Sequence, residues 1–213
     1  MQDKNKIDLH DLGIIILAAG ASKRLGTPKQ LLKHTDGDSF AKRICKMAIG
    51  TGIKNISVVI PDNNEHIMLE TKDDRISCFF NYPNNEISES ILHGFWFLCE
   101  QPMELSAILI VVCDQPYLEL SLLKQIISLY QNTNASLIAS RYKNGAIGTP
   151  ALFSKPFFND LITLEGDRGA IAIIKQNLEK THFVEFPQGD FDIDTSEDYE
   201  TFLHTKNARI KYE

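Results

Sequence analysis

The sequence predicts an α/β domain of three layers, helices on both faces of a mixed, mostly parallel sheet. Three observations carry this. Short apolar runs alternate with segments of helical periodicity along the whole chain. The run at residues 107–112 is apolar at every position, as a central parallel strand covered on both faces must be. The first apolar run ends in a loop carrying glycine, as the first strand of such domains often does. In order, residues 13–19 are the first buried strand. Residues 39–50 form a helix with Phe40, Ile44 and Met47 on one face and a glycine stop. Residues 55–60 are a strand, followed by a short helix capped by Asp62 with Glu65 in capping-box position. A strand at 76–80 leads to a helix at 88–101 whose apolar face includes Ile91, Leu92, Phe95 and Cys99. After the 107–112 strand come a helix at 121–131, a strand at 135–142, a loop at 143–148 and a short extended segment at 149–153. Helices at 156–164 and 167–178, a strand at 182–186 and a helix at 196–204 close the chain.

Composition narrows the function. The 213 residues suit one domain with a substantial core, and 43% hydrophobic and 23% charged residues are ordinary for a globular protein. A formal net charge of −6 argues against a nucleic-acid-binding surface but leaves room for a local positive pocket that holds a nucleotide. Cys45, Cys78, Cys99 and Cys113 form no C-x-x-C pair and sit in apolar stretches, so free, buried thiols and a reducing cytoplasm are expected. The first twelve residues lack a signal-peptide core, and no apolar run reaches spanning length, so no membrane association is expected.

In open α/β sheets ligands bind beyond the carboxyl ends of the strands. The first strand leaves into Leu17-Ala18-Ala19-Gly20-Ala21-Ser22-Lys23-Arg24-Leu25-Gly26-Thr27-Pro28-Lys29. Glycines let backbone N–H groups turn toward phosphate oxygens, and arginine and lysine supply counter-charge. The spacing is neither a Walker A loop nor G-x-G-x-x-G. The plainer alternative is a basic surface loop. The 107–112 strand runs into Cys113-Asp114-Gln115-Pro116, which sets Asp114 in the same crevice as a natural ligand for hard Mg²⁺, or else as an Asx-turn before the proline. Later, Asp190, Asp192 and Asp194 alternate, so in an extended segment they share one face, and such close like charges call for a cation or solvent between them. A helix cap by Asp194, Thr195 or Ser196 is compatible with that role. Asp194 is the preferred second metal ligand, with Asp192 the alternative.

Ser88 and Ser90, at a helix start after Asn84-Asn85-Glu86, offer hydroxyls and free N–H groups to an anion or a base, or simply cap the helix. Arg168 and the helical turn after Asp167 would attract a phosphate, with Asp167 itself a possible N-cap.

The 17–29 segment resembles the L-A-[AG]-G-x-S-x-R-[ML]-G-x-x-K signature of the MobA-like NTP transferases, and most of all their molybdenum-cofactor cytidylyltransferase branch. The likeness extends to about Leu203. Asp114-Gln115-Pro116 matches the family's metal aspartate, and Asp192-Ile193-Asp194-Thr195-Ser196 its D-I-D-T-P with serine for proline. Ser88 and Ser90 match G-M-S-S-S with Glu89 for the middle serine. Gly148 to Phe153 is similar to G-x-P-x-L-F, with Thr149 where histidine is common, and Leu164 to Ala170 to L-x-G-D-x-G-A. The resemblance implies a Rossmann-like nucleotidyltransferase fold with a nucleotide-binding half at about 13–114 and an acceptor-binding half at about 115–205. It implies that the backbone of Leu17, Ala18, Ala19 and Gly20 contacts the nucleotide, that Ser22 of the same loop binds it too, that Arg24 and Lys29 bind the triphosphate, and that Lys29, Arg24 and Asp114 are the catalytic residues. It places Ser88 and Ser90 on the nucleotide side and Thr149, Asp167 and Arg168 on the acceptor side. Mg²⁺ would sit on Asp114 and Asp194. The donor would be CTP, since cytidylyl members carry L-A-A-G where guanylyl members carry L-A-G-G. The acceptor would be molybdopterin, with a molybdoenzyme or chaperone as a possible protein partner. A sugar- or polyol-phosphate nucleotidyltransferase and a catalytically silent nucleotide-binding regulator are the other readings.

Overall fold

A computed structural model describes residues 8–20, 22, 25–62, 64–81, 86–101 and 104–210, with the backbone alone for Asn81, Arg168 and 206–210. Its strands are β1 (Leu12–Leu17), β2 (Asn55–Pro61), β3 (Ser77–Asn81), β4 (Ala107–Val112), β5 (Leu137–Arg141), β6 (Ile147–Ser154) and β7 (Thr181–Glu185). They form one seven-stranded sheet in the order β3-β2-β1-β4-β6-β5-β7. Only β6 runs antiparallel to its neighbours, β4 and β5, among the described residues. The expected mixed, mostly parallel sheet is the observed one.

The helices are α1 (Phe40–Gly50), α2 (Glu65–Thr71), α3 (Ile87–Glu100), α4 (Leu120–Thr133), α5 (Phe158–Ile162), α6 (Ile171–Gln176) and α7 (Ser196–Ile210). Side chains alternate across the sheet and so feed two cores. Ile14, Ile16, Leu109 and Val111 join α1, α4 and α7 on one face. Ile15, Ile108 and Ile110 join α3, α5 and α6 on the other. On that second face α3 lies unusually close, because Gly94 has no side chain. A Cβ there would sit 2.7 Å from Ile15 Cγ2 and 3.2 Å from Ser57 Oγ.

Several local expectations need correction. Asn64, not Asp62, caps α2: its Oδ1 accepts from Ile67 N at 3.1 Å, and Glu65 is already the first helical residue. Ser88 lies inside α3, whose N-cap is Glu86. Asp167 caps no helix. It sits in a 3₁₀ turn, Gly166–Arg168, and Gly169 then takes φ 55° and ψ −177°. That left-handed backbone breaks the single helix expected at 167–178 into a turn and the short α6. β6 begins at Ile147, inside the stretch read as loop. Cys99 is exposed and Cys78 only half-buried, against the expected buried thiols, while all four cysteines are free.

Candidate active site

β1 pairs with β4 on one side and β2 on the other, so the chain order reverses between β1 and β4. Such a switch point opens a crevice at the carboxyl ends of the strands. The register sets Leu17 opposite Val112. The loops after them therefore leave side by side, one toward Lys29 and one carrying Asp114.

Lys29 reaches across this crevice. Its Nζ lies 2.6 Å from Asp114 Oδ2 and 3.7 Å from Asp194 Oδ1. Its own backbone N–H donates to Ser22 Oγ at 2.7 Å, which anchors the loop that bears it. Burial acts to lower the Lys29 pKa. The charge of Asp114 and its hydrogen bond, with Asp194 and Asp192 further off, more than offset this, and the ammonium ends above the ordinary lysine value. Lys29 is thus a fixed cation at any working pH. Asp192 shows the opposite pressure. Loss of solvent, then the charge of Asp114, push its carboxyl up to about 6, even with Lys29 pulling it down.

Two cavities meet here. One of about 120 Å³ is lined by Leu17, Ala18, Ala19, Gly20, Lys29 and Ser90, among others. A second, of about 480 Å³, is lined on its far side by Gly148, Thr149, Asp167, Asp190 and Asp192. Both include Leu17, Ile87, Val112 and Asp114, so Asp114 stands on their common wall.

Of the residues singled out in the sequence, the structure gathers Leu17, Ala18, Ala19, Gly20, Lys29, Ser90, Asp114, Thr149, Asp167, Asp192 and Asp194 around this crevice. Ser22 supports Lys29, and Ser88 is buried within α3. Ser90 Oγ donates back to Glu86 O at 3.3 Å. Arg24, Asn84 and Asn85 lie outside the described residues, as does the Arg168 side chain. The cap of α7 is built just beyond the converging aspartates, by Thr195 and Asp198. Thr195 Oγ1 accepts from Asp198 N at 3.2 Å while Asp198 Oδ2 accepts from Thr195 N at 2.8 Å, a reciprocal box that starts α7, while the Asp194 carboxylate faces Lys29. Gly20 needs no left-handed backbone, and its place for a Cβ is open up to Lys29 Cε at 3.9 Å. Gly26, at φ 70°, is the glycine of this loop that does.

Sequence reasoning missed Gln30. It is almost wholly buried, and its Nε2 donates to Ala18 O at 2.7 Å and Gly20 O at 2.9 Å. With those carbonyls drawn to one side, the turn is held in a single shape. Nothing in its spacing sets it apart from an ordinary loop glutamine beside Lys29.

Among the described residues no three His, Cys, Asp or Glu side chains could hold a metal ion by themselves. Two carboxylates converging on one ammonium suit a hard cation that takes its remaining ligands from phosphates and water, as Mg²⁺ usually does.

The MobA-like NTP transferase domain profile matches residues 14–181, most of the chain, from within β1 to the first residue of β7. The chain belongs to the MobA-like NTP transferase family. It is therefore a nucleotidyltransferase by family. Solved structures agree on the architecture. Rv0371c from Mycobacterium tuberculosis H37Rv superposes with a TM-score of 0.76 at 24% identity, over 92% of this chain and 98% of that one. Its manganese complex gives 0.73 at 22% identity, over 91% and 98%. A cytidylyltransferase from Leptospira borgpetersenii serovar Hardjo-bovis gives 0.63 at 21% identity, over 90% and 84%. No curated protein matches the chain by sequence. No helix among the described residues is long and apolar enough to cross a membrane.

Proposed function

We propose that this MobA-like transferase moves CMP from CTP to a phosphorylated small acceptor, molybdopterin, in a Mg²⁺-dependent reaction that releases pyrophosphate. The observation that carries the proposal is Lys29 Nζ, in the smaller cavity, set between Asp194 and the Asp114 carboxylate that stands on the wall shared by the two cavities. In this reading the smaller cavity takes the donor and the larger the acceptor. An acceptor phosphate oxygen attacks the α-phosphorus in line. The bond to the bridging oxygen breaks, and pyrophosphate leaves with that electron pair. A phosphate is already largely ionised near neutral pH, since its second pKa is about 6, so no strong base is needed.

Asp167, Asp190, Asp192 and Asp114 on the larger cavity would repel an anionic acceptor. Asp114 and Asp194 would hold a divalent cation, which would offset that conflict and supply charge neutralisation at the reacting phosphates. The manganese held by Rv0371c supports a divalent metal in this fold. Lys29 keeps its charge and opposes the negative charge that grows on the pyrophosphate side, while Gln30 holds the loop whose backbone meets the donor.

The choice of CTP rests on Ala19, which lines the small cavity at 5% exposure. Its methyl narrows the space beside the base, and discrimination by shape of this kind is worth roughly 10- to 200-fold. The test is pyrophosphate release from each of four NTPs against a panel of phosphorylated acceptors that includes molybdopterin. CTP should give the highest kcat/KM, and Ala19→Gly should shift the preference toward GTP. A wild-type preference for GTP or ATP would overturn the cytidylyl assignment.

A further inference from the structure

Gln115 follows Asp114 directly, and the mechanism above gives it no part. It is buried, and its Nε2 lies 3.0 Å from Tyr142 Oη, 3.0 Å from Thr149 O and 2.9 Å from Gly189 O. An amide nitrogen carries two N–H groups, so three acceptors saturate it and one hydrogen is shared. The orientation of the amide is determined by these partners. Exchanging its nitrogen and oxygen would press the oxygen against two carbonyl oxygens that cannot donate. Among the described residues Gln115 Oε1 is buried without a hydrogen-bond partner, an arrangement that costs stability.

Tyr142 completes the node. Its hydroxyl accepts from Gln115 and donates to Thr149 O at 2.7 Å. Burial pushes its pKa up to about 12, so the donor persists. The ring fills the space beside two glycines. A Cβ on Gly148 would meet Tyr142 Oη at 2.3 Å, and one on Gly189 would meet Tyr142 Cε1 at 2.3 Å.

The three acceptors belong to three segments. Thr149 is on β6, at the wall of the larger cavity. Gly189 precedes the stretch that carries Asp190, Asp192 and Asp194. Tyr142 follows β5. We propose that Gln115, braced by Tyr142, is a positioning residue that sets the distance between Asp114 and the Asp192–Asp194 stretch and thereby forms the divalent-metal site of the transferase. The proposal rests on the metal-dependent reading of this crevice.

The test uses Mn²⁺ as the probe, titrated into the full chain with CTP present and followed by the electron paramagnetic resonance signal of free Mn²⁺. Gln115→Met keeps the side-chain length and removes both donors. It should weaken Mn²⁺ binding by about tenfold or more, the scale on which residues that orient metal ligands act. Tyr142→Phe keeps the Gln115 contacts to both carbonyls and should weaken it less. Circular dichroism and thermal melting establish that each variant is folded. A folded Gln115→Met protein with wild-type Mn²⁺ affinity would overturn the proposal, whatever its melting temperature. If that variant does not fold, wild-type Mn²⁺ affinity in Tyr142→Phe would overturn it instead. Wild-type pyrophosphate release is measured in parallel. Its absence with every acceptor would count against the proposed reaction and leave the Mn²⁺ comparison intact.

Discussion

Lys29 and Lys33 are four positions apart and chemically identical, yet the structure gives them different surroundings. Lys29 faces Asp114 and Asp194 inside the crevice, whereas Lys33 is 55% exposed and pairs with Glu70 at 3.3 Å. Lys29→Ala should therefore raise the KM for NTP and lower kcat together, because the charge it opposes grows in the transition state. Lys33→Ala should leave both nearly unchanged. Equal losses in the two variants would show that the crevice is not where the triphosphate binds. Asp114→Asn keeps the size of the side chain and removes its charge. It should cost about 3 kcal/mol or more of transition-state stabilisation, on the scale of losing an electrostatic contact to the reacting group, while melting stays cooperative. A folded Asn variant with normal turnover at ordinary Mg²⁺ would exclude Asp114 as a ligand. Asp192 has a pH signature. Its folded pKa of about 6 stands above the ordinary 3.8, so the folded state holds the proton more tightly than the unfolded chain does. Ionisation therefore costs stability, progressively as pH rises from 3.8 through 6 and in full above that. In metal-free protein Asp192→Asn should raise the Tm at pH values above 6 and lose that advantage below 3.8. An equal gain at both ends would contradict the charge account.

Among elements, α3 shows what one missing side chain allows. Gly94 admits the helix to within contact of Ile15 and Ser57, and α3 in turn carries Ile87 and Ser90 to the crevice. Gly94→Ala gains about 1 kcal/mol of helix propensity but forces a Cβ against β1. Overpacking of this kind costs about 1–3 kcal/mol, so a net loss is expected in urea unfolding. A gain in stability would mean that the helix can shift away without penalty. Other elements mark the boundary of what the residues reveal in advance. The apolar runs of β1, β2 and β4 and the periodic face of α1 were legible because burial alone dictates them. The break at Gly169 was not, since Asp167-Arg168-Gly169-Ala170 reads equally well as the start of a helix. The cap on α2 was misplaced by two residues because Asp62 and Asn64 are both good caps, and only the path of the chain out of β2 chooses between them.

Across the whole molecule, strand order decides where chemistry can occur. The crevice between β1 and β4 follows from the reversal of strand order there, where the two strands still run parallel, and the alternation of strands and helices already implied it. Asp114 could be named beforehand because it follows a buried strand, Asp194 because it alternates with Asp190 and Asp192, and Lys29 because the 17–29 segment resembles the family's loop signature. Gln30, Gln115 and Tyr142 could not. Their importance lies in bonds to backbone carbonyls of segments distant in sequence, which leave no mark in spacing or composition. The antiparallel course of β6 was likewise hidden, yet it brings Thr149 back beside Gln115. The central claim is that the α-phosphorus of CTP, and no other, is the centre attacked in this crevice. It is tested most directly by incubating the protein and Mg²⁺ with molybdopterin and CTP labelled in separate reactions at the α- or γ-phosphate. The account predicts α-label in the acceptor product and γ-label in free pyrophosphate, with both lost in Asp114→Asn. Transfer of γ-label to the acceptor, or its release as inorganic phosphate, would contradict it.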